Sequence, residues 1–202
     1  MAEERKIVKQ VKNAKLYSDG TLLIADVRIS YPHVDKPWCK NPGKETPKFS
    51  GVFILPNDTH KEARELCLEV VTDLLKQHNK GVGIKADAKF VRDGDASAKP
   101  EYVDAWTVNA SEEQRPTVLN PDKSEMAQED IKPTIIAGHF TDVLVQPWYQ
   151  DNEHGKRVNA GLRAVRYRRE GPPLSEGGIS KEDAINSFDD DDDGGFGDDD
   201  EL

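Results

Sequence analysis

Only one stretch of this chain, residues 59–81, repeats its apolar residues at helical spacing. Elsewhere the apolar runs are short, alternate at period two and stop at proline or glycine. That pattern dictates a fold made largely of strands. Residues 21–31 (TLLIADVRISY) put Leu23, Ala25, Val27, Ile29 and Tyr31 on one face, and Pro32 ends the run. Residues 49–55 (FSGVFIL) form a second strand, stopped by Pro56. Segments 105–110, 117–119, 138–149 and 157–168 follow, the last two joined by a hairpin loop over 150–156 (QDNEHGK). The proline-rich and lysine-rich stretch 33–47 sustains neither period and reads as a long loop, and the N-terminus reads as a polar, charged arm. In the helix, Thr59 and Glu62 have capping-box spacing, and Ala63, Leu66, Cys67, Val70, Val71 and Leu74 form its apolar stripe. About six strands, one helix and several long loops fit a small Greek-key barrel, and a sandwich nearly as well.

Charge is unevenly placed. The formal net charge is −10 over 202 residues, yet residues 175–202 hold twelve acidic side chains against one lysine, Lys181. The body, residues 1–174, is left close to neutral. It reads as one domain followed by an acidic tail, whose like charges repel and which has nothing to bury, so the tail is expected to be disordered. Cys39 and Cys67 sit in unlike contexts and suggest no disulfide framework. The N-terminus has no export signal, and no apolar run approaches the ~18 residues of a membrane span, so a soluble, cytoplasmic protein is expected.

A near-neutral body can still gather its cations on one face. The strongest such signal is in the last two strands, where Lys156, Arg157, Arg163, Arg166, Arg168 and Arg169 mix with Trp148, Tyr149 and Tyr167. Strict alternation sets Arg157, Asn159, Gly161, Arg163, Val165 and Tyr167 on one side, and Val158, Ala160, Leu162, Ala164, Arg166 and Arg168 on the other. Cations that follow phosphates, interleaved with rings on which bases stack at ~1–3 kcal/mol each, are what a single strand of nucleic acid requires. Two further patches are Lys85, Lys89, Phe90 and Arg92, and Trp106 with Arg115; Lys36, Trp38 and Lys40 form a weaker one. The expected interface is therefore Lys85, Lys89, Arg115, Arg157, Arg163 and Arg166 on phosphates, with Trp106, Tyr149 and Tyr167 stacking bases. The bland alternative is that these arginines solvate a sheet face and the aromatics fill the core.

Catalytic readings find little support. His33, His60, His78, His139 and His154 have no metal-ligand spacing, and there is no glycine-rich phosphate loop, nucleophile elbow or deaminase signature. Residues 189–200 superficially match a calcium loop, but the flanking helices are missing and the closing Glu201 falls one position late. A metal-dependent nuclease would need to recruit Asp26, Asp142 or Asp151, whose spacing does not argue for it. The other rival is an acidic-tailed interaction protein or DNA mimic that binds basic proteins.

VRISYPHV, then PKFSGVFILP before the helix, NASEEQRPTVL, the hairpin closing on GLRAVRYRREGPPL, and the acidic tail together resemble the single-stranded DNA-binding proteins of tailed bacteriophages, over residues 22–174 and the tail. The resemblance implies a mostly β OB-fold core, sequence-independent binding of single strands, no enzymatic activity, no cofactor, and a role in phage DNA replication, recombination and repair. It also implies that the tail contacts DNA polymerase and other replication proteins and competes with DNA. Many such tails end on an aromatic residue, whereas this one ends on Leu202 with Phe188 and Phe196 inside the acidic run. Partner contact is thereby assigned to Phe188, Phe196, Asp198, Asp199, Asp200, Glu201 and Leu202. No membrane partner is implied, and a homo-oligomeric state is left open.

Overall fold

The computed structural model describes residues 5–174. Nine strands, β1 (Ile7–Val11), β2 (Ala14–Tyr17), β3 (Leu22–Trp38), β4 (Lys48–Pro56), β5 (Val91–Asp93), β6 (Ala105–Glu112), β7 (Thr117–Leu119), β8 (Phe140–Asn152) and β9 (Gly155–Arg169), form one sheet. Its two helices are α1 (Lys61–His78) and α2 (Gln128–Thr134). The hydrogen-bonded order is β5-β6-β4-β3-β8-β9-β7, with the β1–β2 hairpin joined to β3. All pairings are antiparallel except β7 with β9. The sheet curls until β6 faces β9 without a continuous ladder. A single bridge between Lys89 and Val158 spans the gap, and Arg163 on β9 reaches Glu112 on β6 at 3.2 Å.

The long strand β3 serves both halves of the sheet, pairing with β8 through residues 22–28 and with β4 through 28–38. It can do so because it is kinked twice. Asp26 (φ 60) and Tyr31 (φ 48) take left-handed backbone conformations at register shifts. Each shift moves one residue's parity. The buried residues are thus Leu22 and Ile24, then Val27 and Ile29, and the single face expected from Leu23 to Tyr31 is broken at Asp26. Pro32 does not end the strand. It falls in the second irregularity, between Ser30 and His33, where its missing N–H breaks no rung, and residues 33–38 continue as strand where a loop was expected.

The N-terminal arm is likewise a hairpin. Its exposed Ile7 and Val8 give no buried stripe to read, and the turn is made at Asn13 (φ 62). The β8–β9 loop is shorter than expected. Only Glu153 and His154 lie outside the strands, His154 N donates to Asn152 Oδ1 at 2.9 Å, and Gly155 (φ 92) supplies the left-handed position that closes a two-residue turn.

Helix α1 closes one side of the curled sheet with Ala63, Leu66, Cys67, Val70, Val71 and Leu75 buried. Its first residue is Lys61, and the expected capping box is not made. Thr59 Oγ1 pairs with His60 Nδ1, while the Glu62 carboxylate accepts the Lys12 N–H at 3.2 Å. Cys67 is a core residue, its thiol pKa pushed up to about 12 by burial. Both cysteines are free. Phe53, Phe90, Leu55 and Val108 fill the interior with α1, each worth ~1.5–3 kcal/mol of burial. No helix among the described residues is long and apolar enough to cross a membrane.

Candidate nucleic-acid interface

Where β6 and β9 face each other without pairing, a groove runs over the outside of the sheet. On one bank, β4 and β6 present alternate residues outward: Ser50 opposite Ser111, and Val52 opposite Asn109. The other bank is the β8–β9 hairpin, where Trp148 lies opposite Asn159 and Gln146 opposite Gly161. Gly161 lets the Glu112 carboxylate approach the strand closely, since a Cβ there would stand 2.9 Å from Glu112 Oε2 and would move that side chain aside.

Three adjoining hollows make up this groove. The first, about 280 Å³, is bounded by Tyr31, Phe90, Arg92, Asn109 and Asn159. The second, about 520 Å³, lies between Trp148, Ser111, Glu112 and Arg163. The third, about 470 Å³, extends past Lys48 to Trp38 and Lys40. Ser111 borders all three. Trp148 is 45% and Trp38 54% exposed, which is unusual for rings of this size. Trp38 is stacked at 5.1 Å on His33. Tyr31 stacks beneath Lys99 Nζ at 3.6 Å from its ring centre.

The charges are arranged asymmetrically along the groove. At one end Arg92 Nε donates to the Lys89 carbonyl at 2.8 Å, and Arg157 Nη2 to the Asp87 carbonyl at 3.0 Å. Burial lowers the pKa of Arg92, and the neighbouring Arg157 adds to the effect. The Asp87 carboxylate opposes the shift, but both guanidiniums donate to carbonyls rather than to a carboxylate, which leaves them open to an anion. In the middle, Arg163 is balanced by Glu112, and Lys48 approaches Glu113 at 3.9 Å.

The structure gathers part of the expected residue set at this groove. Arg163 lines it, Arg157 stands beside Arg92, and Lys85 and Lys89 flank the 3-10 turn Ala86–Ala88 that packs on β9. Arg115 lies 5.2 Å over the Phe49 ring and donates to Gln128, which ties it to α2. Trp106 shares the core-facing parity of Val108 and Ala110, with Arg64 over its ring at 5.4 Å. Tyr149 also faces inward, stacked 5.5 Å from His78, and its hydroxyl is buried without a partner.

A bulge at Arg163, between the rungs Val145–Leu162 and Leu144–Ala164, changes the expected alternation of β9. Beyond it Val165 is fully buried, and Tyr167 packs against the core beside His139, while Ala164, Arg166 and Arg168 turn outward. Arg166 is then engaged by Asp142, only 3% exposed. Arg166 Nε donates to Asp142 Oδ2 at 2.8 Å, Arg168 Nη1 to Oδ1 at 2.9 Å, and the Asp26 N–H to Oδ1 at 2.9 Å. The carboxylates considered for a metal are thus spent on arginines, and Asp151 stands apart beside Lys156 at 3.8 Å. Among the described residues no three His, Cys, Asp or Glu side chains converge.

Lys48 and Ser50 line the groove without having been singled out, and Trp148, Trp38 and Arg92, named in the patches but left out of the expected interface, line it too. For Trp148 a signal existed. Val143 and Val145 fix the inward parity of β8, which sends Tyr149 inward and Trp148 out. Phe188, Phe196, Asp198, Asp199, Asp200, Glu201 and Leu202 lie outside the described residues.

An OB-type sheet carrying an open groove with exposed tryptophans, amide and hydroxyl groups and a cationic end has the features that define the single-strand-binding class of OB proteins. Comparison with known proteins gives the family. Residues 21–195 match the model described as Enterobacter phage Enc34, ssDNA-binding protein, and the chain belongs to that family of bacteriophage single-stranded DNA-binding proteins, which are not enzymes. It is similar to the solved single-stranded DNA-binding protein from bacteriophage Enc34, with 34% identity and a TM-score of 0.78, covering 91% of this chain and 99% of the other. The same phage protein in complex with ssDNA matches at 35% identity and a TM-score of 0.79, over 86% of this chain and 100% of the other. Protein p50 of Acyrthosiphon pisum secondary endosymbiont phage 1 is 26% identical over 174 residues, covering 82% of this chain and 90% of that protein.

Proposed function

We propose that the chain coats single-stranded DNA without sequence preference by laying the strand along the β6–β9 groove, and that it does so in phage DNA replication, recombination and repair. The observation that carries this reading is the continuity of the groove from Arg92 to Trp38 with two open indole faces along it. Arg92, Arg157, Lys89 and Lys85 take phosphates at the cationic end, Lys48, Lys40 and Arg163 along the rest, and Trp148 and Trp38 stack bases. The neutral hydrogen-bonding groups of Ser50, Asn109, Ser111 and Asn159 tolerate any base. A relative solved with ssDNA supports the class of ligand.

The acidic tail, with a net charge of −11 over residues 175–202, competes with DNA for these cations. When DNA displaces it, it is free for replication proteins such as DNA polymerase. Titration of a fluorescent poly-dT oligonucleotide with the full chain and with a form ending at Leu174, at two salt concentrations, tests both parts. Tighter binding by the shorter form, with a log–log salt slope of up to ~4 for about six phosphates, is the expected result. A flat salt response, or equal affinity of the two forms, would overturn the electrostatic groove or the tail competition respectively.

A further inference from the structure

The groove is not the most cationic hollow on this sheet. Beyond the bulge at Arg163, on the outer face of β2, β3, β8 and β9, lies a basin of about 430 Å³. Its floor follows from register: Leu23 on β3 is opposite Leu144 on β8, which is opposite Ala164 on β9, and Leu119 on β7 adjoins Arg166. Arg5, Lys15, Lys123 and Arg166 stand around this apolar floor. The single acid in its lining, Asp142, is already held by Arg166 and Arg168. Arg5 is paired with Asp19 at 3.0 Å, but Lys15 and Lys123 form no ion pair among the described residues, whereas the groove's Lys48 and Arg163 both face glutamates. The basin also lacks open rings, because its one aromatic, Tyr17, lies under the Arg5 guanidinium at 3.6 Å. An apolar floor inside a cationic rim suits a peptide whose apolar side chain is followed by a run of carboxylates better than it suits stacked bases.

The chain contains such a peptide. Residues 187–193 read SFDDDDD. Leu174, the last described residue, lies against Gly138, where a Cβ would stand 2.9 Å from Leu174 N, and packs on the cluster of Ile54, Tyr102 and Ala105 beside Tyr31 and Val52, so the tail sets out between the groove's first hollow and the start of β8. Gly138 precedes β8 by two residues, and β8 carries Asp142 and Leu144 into the basin. Thirteen residues separate Leu174 from Phe188, a reach of up to ~45 Å when extended, so the segment can arrive from its own molecule at high effective concentration.

We propose that the basin is the docking site of this segment, with the Phe188 ring on the leucine floor and the aspartates 189–193 against Lys15 and Lys123. The docking deepens the tail competition proposed above and rests on that reading only for its effect on DNA. Ala164 lines the basin and Arg163 the groove, so an anchored tail delivers residues 194–202 to the groove's edge.

The test is zero-length carbodiimide coupling of the full-length protein at low salt, followed by peptide mass spectrometry. Aspartates 189–193 should join chiefly Lys15 and Lys123, at a yield that does not change on dilution and falls several-fold in Phe188→Ser. Coupling chiefly to Lys48, Lys85 or Lys89, coupling spread evenly over the exposed lysines, or coupling seen only between molecules would each overturn the proposal. If Lys15→Glu with Lys123→Glu in the full chain lowers poly-dT affinity ten-fold or more, the basin belongs to DNA and the proposal falls; tighter poly-dT binding by that variant supports it. If the protein binds no poly-dT at all, the groove reading fails, and the coupling map still decides where the tail docks.

Discussion

Arg163 and Arg166 are three positions apart on one strand, and they do opposite work. Arg163 sits on a bulge at the groove, 46% exposed, with a single, half-buried partner in Glu112. Arg166 shares with Arg168 a carboxylate that is 3% exposed, and that carboxylate also accepts the backbone N–H of Asp26, the residue at which β3 kinks. The first arginine has a weakly held charge that can be lent to a ligand. The second holds β3, β8 and β9 together. What separates them is where the nearest carboxylate lies and how much water reaches it.

The largest expected effect comes from breaking the structural end. Asp142→Ala strands two arginines and the Asp26 N–H at once, and should lower unfolding free energy by about 3 kcal/mol, read as a shift of the urea midpoint. Glu112→Gln removes the partner of the exposed Arg163 and should change stability by less than ~1 kcal/mol. Equal losses in the two variants would erase the distinction between the ends.

Next in size is a contrast between neighbours on β8. Trp148→Ala should weaken poly-dT binding by ~1–3 kcal/mol, the worth of one stacked base, with unfolding little changed. Tyr149→Phe removes a buried hydroxyl that has no partner. It should leave DNA affinity unchanged and stability equal or up to ~1 kcal/mol higher. If DNA affinity instead followed Tyr149, the inward parity of that side chain would be wrong.

These contrasts also show how far the sequence could be read. The stripe of α1 and the β4 and β6 alternations are regular, and periodicity alone places them. The kinks at Asp26 and Tyr31 and the bulge at Arg163 each insert one residue, and nothing in residue type announces them. Parity counted across them reverses, which is how Leu23 and Ala25 were set with Val27, and how Tyr167 was set beside Arg157. The β1–β2 hairpin is held by pairing with β3 rather than by burial, so it leaves no apolar pattern. In α2 only Ile131 is buried, too little to mark a helix. The site was half legible for a related reason. A cluster of arginines can be counted in sequence, but their partners Glu112, Asp26 and Asp142 lie 51 or more positions away, or on another strand, and only the folded sheet decides which arginine is spent.

A finer measurement separates the two arginines by salt. Arg163→Gln should reduce the log–log salt slope of poly-dT binding by ~0.7, the release from one single-strand phosphate. Arg166→Gln should leave the slope unchanged and lower the urea midpoint. A reduced slope in both would mean that the strand runs past the bulge and over Asp142.

The smallest expected effect sharpens the structural end through pH. The Arg169 hydrogen bond to Asp26 holds that carboxyl below its ordinary value of 3.8 against the opposing pull of burial, with further help from the charges of Arg169 and Arg168. A carboxyl whose folded pKa is depressed adds stability that is fully present above its unfolded pKa and is lost as pH falls through the folded value. The contribution of Asp26 should therefore be constant from neutral pH down to about 5 and fade below about 4. Its side chain is 35% exposed, so solvent screening keeps the loss to roughly 1 kcal/mol or less. In melting curves from pH 5 to pH 2, Asp26→Asn should show a shallower acid decline than the parent chain and converge with it at the lowest pH. Parallel declines would mean that the Arg169–Asp26 pair adds nothing to stability, and that Asp142 alone anchors the arginines of β9.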